Sequence, residues 1–339
     1  MAWQIIGHDW AVEFLQQSLA TRRVAHAYLF TGPPQIGKRT LAQALAQALN
    51  CTGSRLPCGQ CRSCQKVENA THPDVRVIEG EGAGGSIKID QVRAVKREAV
   101  LSPYEGRYRV YILRHVDMAS LEAANSLLKI LEEPPEHVVL VLTAVQPELL
   151  PATVVSRCQQ LDLRPVPFSF LESVLRSRGH AEPKARLLAR LSGGRVGWAL
   201  DAGKDDAVLV RRQQDLDQMI QLLGATRVER IEFASEISRS ASAGRAQLEL
   251  WTVWWRDLLL VHNQQQEHVT NTDRSEELDL MAGQSTMSQV RLALDALQSA
   301  AAQMEANVNA RLAWEGLVLK LPRLQMPSRQ LGEMAPGTP

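Results

Sequence analysis

The stretch that most constrains this chain is Gly32-Pro33-Pro34-Gln35-Ile36-Gly37-Lys38-Arg39-Thr40. A short apolar run, Ala27-Tyr28-Leu29-Phe30, precedes it, and an alanine-rich segment with leucines at 41, 45 and 49 follows. The run predicts a buried strand and the four-residue leucine spacing a helix. Strand, glycine-bearing loop, lysine and helix are the context of a phosphate-binding loop. Glycines let backbone N–H groups close around phosphate oxygens, the helix N-terminus adds its positive end, and Lys38 supplies a full charge. Gly32, Gly37, Lys38 and Thr40 are therefore the nucleotide-binding candidates. One position departs from the pattern: the Ser or Thr that would hold Mg²⁺ after the lysine is Arg39. Thr40 does not simply substitute, because one helical step turns a side chain by about 100°.

Hydrolysis also needs an apolar strand ending in Asp, usually followed by Glu, to organise Mg²⁺ and the attacking water. The strand expected at Arg109–Leu113 runs instead into Arg114-His115, and Asp117 comes three residues late. Glu79, ending another apolar run, is the rival acid, although it leads into the glycine-rich loop Glu79–Gly85. Cations at two magnesium-handling positions point to a pocket without hydrolytic duty. Nucleotide binding without turnover stays open.

Four of the five cysteines form Cys51-x6-Cys58-x2-Cys61-x2-Cys64. Successive x2 spacings are too crowded for ordinary disulfides, and Gly59, Arg62 and Ser63 suit a tight knuckle. Four thiolates can close a tetrahedral structural Zn²⁺ site with no open position for catalysis. An iron–sulfur cluster and free thiols are the competing readings.

Elsewhere, Asp9 is expected to cap a helix through Val12, Phe14, Leu15 and Leu19, and Asp90 one through Val92, Val95 and Ala99. Strands are expected at Asp74–Ile78 and Val138–Leu142, and a helix at Leu121–Leu131, ended by Glu132-Glu133-Pro134-Pro135. Alternating strands and helices predict a parallel sheet covered on both faces. From about Pro165 only helical periodicity continues, broken by Gly193-Gly194 and Gly203. Trp251, Trp254 and Trp255 share one helical face and, with Trp314, read as a packed helical core or subunit seam rather than a base-stacking platform. At 339 residues the chain should hold two or three domains. Its net charge of +1 gives no global field for nucleic acid. The first residues lack a secretory pattern, and the longest apolar runs are too short to span a membrane, so a soluble, cytoplasmic protein is expected.

Leu127-Leu128-Lys129-Ile130-Leu131-Glu132-Glu133-Pro134-Pro135, Thr143 and Ser156-Arg157-Cys158, with a cysteine knuckle after the phosphate-loop helix, resemble the clamp-loader branch of the AAA+ ATPases. The resemblance implies an α/β P-loop domain with a parallel sheet over 1–164, carrying the knuckle at 51–64. A small helical lid over 165–205, an all-α collar over 206–326 and a disordered tail over 327–339 would follow. The missing acids set the chain apart from the gamma/tau motor subunits. By resemblance, Arg157 is an arginine finger acting in trans on a neighbour's ATP, and Thr143 occupies the sensor-1 position. Ser192–Leu200 resembles the start of the sensor-2 helix, but the motors' arginine there aligns with Gly197, and Arg195 lies two residues away. The implied partners are the gamma/tau motor subunits and a delta subunit and, through the complex, the sliding clamp and primed DNA. An autonomous gamma/tau-like ATPase is the alternative. A zinc-dependent nucleic-acid module is a third reading, disfavoured by the neutral charge.

Overall fold

Ala27–Thr31 (β1) is buried at every position because it runs through the middle of a parallel sheet. A computed structural model describes residues 3–80, 85–306 and 308–324. Residues 81–84 of the expected glycine-rich loop and the expected tail lie outside them. The first elements are α1 (Asp9–Ala20), β1, α2 (Lys38–Asn50), α3 (Arg62–Glu68), β2 (Val75–Ile78), α4 (Ile89–Ala99), β3 (Arg109–Leu113) and α5 (Leu121–Glu132). They continue with β4 (Val138–Thr143), α6 (Ala152–Val155), β5 (Gln159–Asp162), α7 (Phe168–Ser177), α8 (Glu182–Leu191) and α9 (Val196–Lys204). The remaining helices are α10 (Ala207–Gly224), α11 (Arg227–Ile237), α12 (Ala241–His262), α13 (Ser275–Gln284), α14 (Met287–Glu305) and α15 (Ala310–Lys320).

The strands pair in the order β2-β3-β4-β1-β5, all parallel, with Ala27 opposite Leu140 and Tyr28 opposite Gln159. Alternation sends Tyr28, Phe30, Val110, Ile112, Val139 and Val141 to one face, against Leu15, Leu41 and Leu45. Leu29, Tyr111, Leu113, Leu140 and Leu142 go to the other, against Val92, Val95, Leu127 and Leu131. Both faces are thus covered, as the unbroken apolar runs require. Because β1 is flanked by β4 and β5, connections diverge there, and the loop after it opens at the carboxyl end of the sheet, where α/β proteins bind ligands.

Several boundaries differ from the sequence reading. Asp9 and Asp90 are not caps; His8 and Lys88 hold those positions, and both acids lie in the first helical turn, where they still complement the dipole. Asp74 precedes β2 because its carboxylate is needed elsewhere: it accepts the amides of Tyr104, Glu105 and Gly106 at 2.6–2.8 Å. Gly203 does not break a helix but lies within α9. Gly193 and Gly194 do interrupt the helices, at φ +57° and +79°. The fifth strand, Gln159–Asp162, has no apolar run to announce it, and only Leu161 in it is buried.

The chain divides into two units, one of Met1–Gly179 with Ser192–Asp201 and the other of His180–Leu191 with Ala202–Pro339. In the second, Trp251, Trp254, Trp255 and Trp314 are all buried. Trp251 stacks on Phe233 at 5.6 Å and meets Trp314 edge-on at 5.3 Å, so the indoles are core rather than a stacking surface. Beside them Arg230 is buried without any acidic partner among the described residues. Its five N–H donors meet the carbonyls of Leu222, Leu223, Val318, Leu321 and Pro322 at 2.8–3.1 Å. These carbonyls belong to the C-terminal ends of α10 and α15, whose dipoles favour a cation. Burial, and then Arg323, nonetheless lower the Arg230 pKa.

Candidate functional site

The phosphate loop has the backbone that its glycines foretell. Gly32 has φ +129° and Gly37 φ +119°, a region that side chains rarely adopt, and a Cβ on Gly32 would stand 2.2 Å from the Leu163 carbonyl. Gly37 is the N-cap of α2. Lys38 is buried, and its Nζ donates to the carbonyls of Gly32 and, at 2.8 Å, Pro33. Burial pulls its pKa down to about 8, while the negative charge of Asp117 pushes back. Arg39 and Thr40 are both exposed on the first turn of α2.

Two neighbours close on this loop, and the contact each makes with it carries no signal in the sequence. His8 is buried and donates from Nε2 to the Ile36 carbonyl at 3.0 Å. Its pKa is lowered by burial, partly offset by that bond and by Asp9, so the ring sits over the loop as a neutral imidazole. From the other side, the Gly197 amide donates to the Gln35 carbonyl at 2.8 Å. A Cβ at Gly197 would lie 2.7 Å from that oxygen. A side chain at Gly197, the position that the sequence resemblance aligns with the motors' arginine, would therefore collide with the phosphate-loop backbone. Arg195 does not replace it; its Nε donates to the Ser192 carbonyl at 2.7 Å and its guanidinium lies 5.9 Å from the centre of the Trp198 ring.

The candidate acids have other partners. Arg114, where the strand-ending Asp would stand, forms an ion pair with Glu79, so the rival acid is neutralised by the substituting cation. Asp117 uses Oδ2 to accept the amides of Val145 and Gln146 at 2.8 and 2.9 Å. Its Oδ1 is buried with no partner among the described residues. Thr143 is buried and its hydroxyl accepts the His115 amide at 3.2 Å.

Cys51, Cys58, Cys61 and Cys64 converge, with all four Sγ atoms within 4.8 Å of one another. The Cys58–Cys64 and Cys51–Cys61 separations are 4.0 and 3.9 Å. Bonds of about 2.3 Å to one tetrahedral zinc put sulfurs about 3.8 Å apart, so the cluster fits a single ion better than a multi-iron cluster. Amides of Gly53 and Cys58 donate to the Cys51 sulfur, and those of Cys61 and Cys64 to the sulfurs of Cys58 and Cys61. Burial works against the Cys61 thiolate, but the amides of Cys64 and Thr52 outweigh it and bring the pKa to about 5. These four cysteines can hold a structural zinc ion. The knuckle is tied to the sheet by Ser63–His72 at 3.1 Å and Lys66–Glu105 at 2.6 Å.

Arg157 follows α6 and is exposed for about a third (36%) of its side chain. Its Nη1 donates to the Thr153 carbonyl at 2.9 Å, and Nη2 pairs with Glu132, the last residue of α5, also at 2.9 Å. Cys158, by contrast, packs against the core beneath the sheet, and burial raises its thiol to about 12.

Residues 7–167 match the family model described as DNA polymerase III, delta subunit. The chain is 30% identical over 315 residues to DNA polymerase III subunit delta' of Bacillus subtilis, covering 91% of this chain and 94% of that one. It is 37% identical over 204 residues to DNA polymerase III subunit tau of Escherichia coli, where the match spans 58% of this chain but only 31% of the relative. A solved gamma subunit-related protein of Thermotoga maritima aligns over 90% of this chain and 97% of its own, at 18% identity and a TM-score of 0.43. No helix among the described residues is long and apolar enough to cross a membrane.

Proposed function

The chain belongs to the family of DNA polymerase III delta' subunits, and from that premise we propose that it is a non-motor, stator-like member of the clamp loader. In this role it helps the gamma/tau motors and the delta subunit open the sliding clamp and load it on primed DNA, as part of the polymerase holoenzyme. The observation that carries the non-motor reading is the Arg114–Glu79 pair: the cation at the catalytic acid's position also neutralises the rival acid that follows β2. Arg39 and the closed position at Gly197 act in the same direction. The proposal includes a zinc ion held by Cys51, Cys58, Cys61 and Cys64, where it supplies folding energy and no chemistry. It also includes a lid over 165–205 and a collar over 206–326 that joins the ring.

Arg157 is proposed to act in trans, its guanidinium gripping the transferring phosphoryl group on a neighbouring motor. Such an arginine accelerates the site it completes by about 10³–10⁵-fold. Arg157→Ala should leave folding unchanged, since an exposed pair contributes about 0–1 kcal/mol. It should lower steady-state ATP turnover of the assembled complex in part, through the one site it completes. Arg157→Lys should not restore full turnover, because a point charge lacks the planar fork. Unchanged ATPase and clamp-loading rates at matched assembly would falsify the assignment.

One observation favours an autonomous ATPase instead: Asp117, with a buried unpartnered oxygen, is near enough for Lys38 to feel its charge. Lys38→Ala separates the two readings. On the non-motor reading the isolated chain shows negligible turnover and the variant supports nearly normal clamp loading. Robust turnover by the isolated chain, lost on substitution, would establish the motor reading.

A further inference from the structure

Arg157 has an internal counter-ion, and we propose that Glu132 is its latch: a positioning residue that holds the guanidinium against its own chain and yields it to the neighbour's phosphates. The inference rests on the trans role proposed for Arg157 and adds a residue to it.

Three features of the site support an exchangeable partner. The pair is short, 2.9 Å, yet open to water, with the Arg157 and Glu132 side chains 36% and 49% exposed. An ion pair of that kind contributes little net stability, so its release costs little. A triphosphate offers more negative charge and charge-assisted hydrogen bonds, so it outcompetes a single exposed carboxylate. Second, Thr153 holds the other branch of the guanidinium through its carbonyl, so releasing Glu132 does not free the whole side chain. Third, the carboxylate has somewhere to go. Glu132 lines an open cleft of about 360 Å³ with Lys96, Lys129 and Glu133, and the two ammonium groups there can receive it.

The placement of Glu132 also gives the pair a reason to form before docking. Glu132 ends α5 and Glu133 follows it, which sets two acids at the negative end of a helix dipole. Arg157 offsets that charge in the isolated chain. Once phosphate takes the arginine, a carboxylate left beside it would repel the nucleotide, so movement toward Lys96 and Lys129 is part of engagement. Glu132 therefore sets how much ATP is needed to recruit the arginine, rather than the rate once it is engaged.

The test uses complete clamp loaders built with wild-type, Glu132→Gln, Arg157→Ala and doubly substituted chains, assayed for ATP turnover on clamp and primed DNA. Glu132→Gln should lower the KM for ATP by about two- to five-fold, the range set by an exposed pair, with kcat nearly unchanged. Glu132→Asp should behave more like wild type. In the Arg157→Ala background the Glu132→Gln effect should vanish, as a double-mutant cycle requires of a coupled pair. An unchanged KM for Glu132→Gln, or a shift that persists without Arg157, overturns the latch while leaving the trans arginine standing. If Arg157→Ala alone changes nothing, the trans reading fails and the latch with it. Thermal melting of the isolated Glu132→Gln chain should match wild type, and a marked loss of stability would make Glu132 a structural contact instead.

Discussion

Replacing Cys64 with alanine should take the zinc content of the purified protein from about one ion per chain to nearly none, and unfold the knuckle locally. The fourteen residues from Cys51 to Cys64 contain little regular structure beyond the start of α3. Ordering them costs about 1–2 kcal/mol per residue in backbone entropy. Nearby apolar burial is confined to residues such as Val67 and, partly, Leu56, at about 1.5–3 kcal/mol for a fully buried side chain. That cannot offset the ordering, whereas a closed four-thiolate zinc site contributes about 10–16 kcal/mol at neutral pH. Loss should spread along Ser63–His72 and Lys66–Glu105 to the edge of the sheet, and hydrogen exchange should show it there before the central strands. Chelator should reproduce the effect in the wild type and add nothing to the variant. Acid should release the metal too, because the ligands are thiolates and protonation competes with zinc. Full zinc retention by Cys64→Ala, or a wild type indifferent to chelator, would end the assignment.

The second large effect is expected at Arg230. Arg230→Ala removes five hydrogen bonds at once and leaves the carbonyls of Val318, Leu321 and Pro322 without their donor. Those of Leu222 and Leu223 keep partners in the amides of Ala225 and Leu324. At about 1–3 kcal/mol for each of these three buried groups left unpaired, the loss should be about 3–9 kcal/mol. That is a large part of the roughly 5–15 kcal/mol that holds a domain together. Arg230→Lys should recover only a fraction, since three donors on a flexible stem cannot serve carbonyls from two helix ends. Trp251, Trp254, Trp255 and Trp314 share this core, so tryptophan fluorescence of the full chain during urea unfolding reports it. The midpoint should fall by about 2 M for Arg230→Ala at typical denaturant slopes. A shift below about 0.5 M would mean that water satisfies the carbonyls and that the arginine is dispensable.

Much of the unit that carries the sheet was legible because its signals are local. The apolar runs at 27–30 and 138–142 could only be buried strands, and β1 and β4 are buried at every position. The glycines at 32 and 37 announced positive φ, and the cysteine spacing announced a convergence that the sulfur distances bear out. Helix caps were less legible. Asp9 and Asp90 have the right chemistry for a cap, but α1 begins one residue and α4 two residues earlier than that role requires. β5 escaped notice because an edge strand with one buried side chain shows no apolar pattern.

Sequence alone also determined three departures from the motor pattern, since Arg39 in place of Ser or Thr, Arg114 in place of the strand-ending acid and Gly197 in place of the arginine are read directly from the chain. What became of their partners was decided only by the tertiary structure. Glu79 and Arg114 are 35 positions apart and meet because β2 and β3 lie side by side in register. Gly197 meets Gln35, Arg157 meets Glu132, and Arg230 meets the end of α15 across intervals that no local spacing encodes. The physical reason is range. Strand burial, glycine φ and ligand spacing act over a few residues and leave a mark on the sequence, whereas ion pairs and close backbone contacts depend on which surfaces the sheet order brings together.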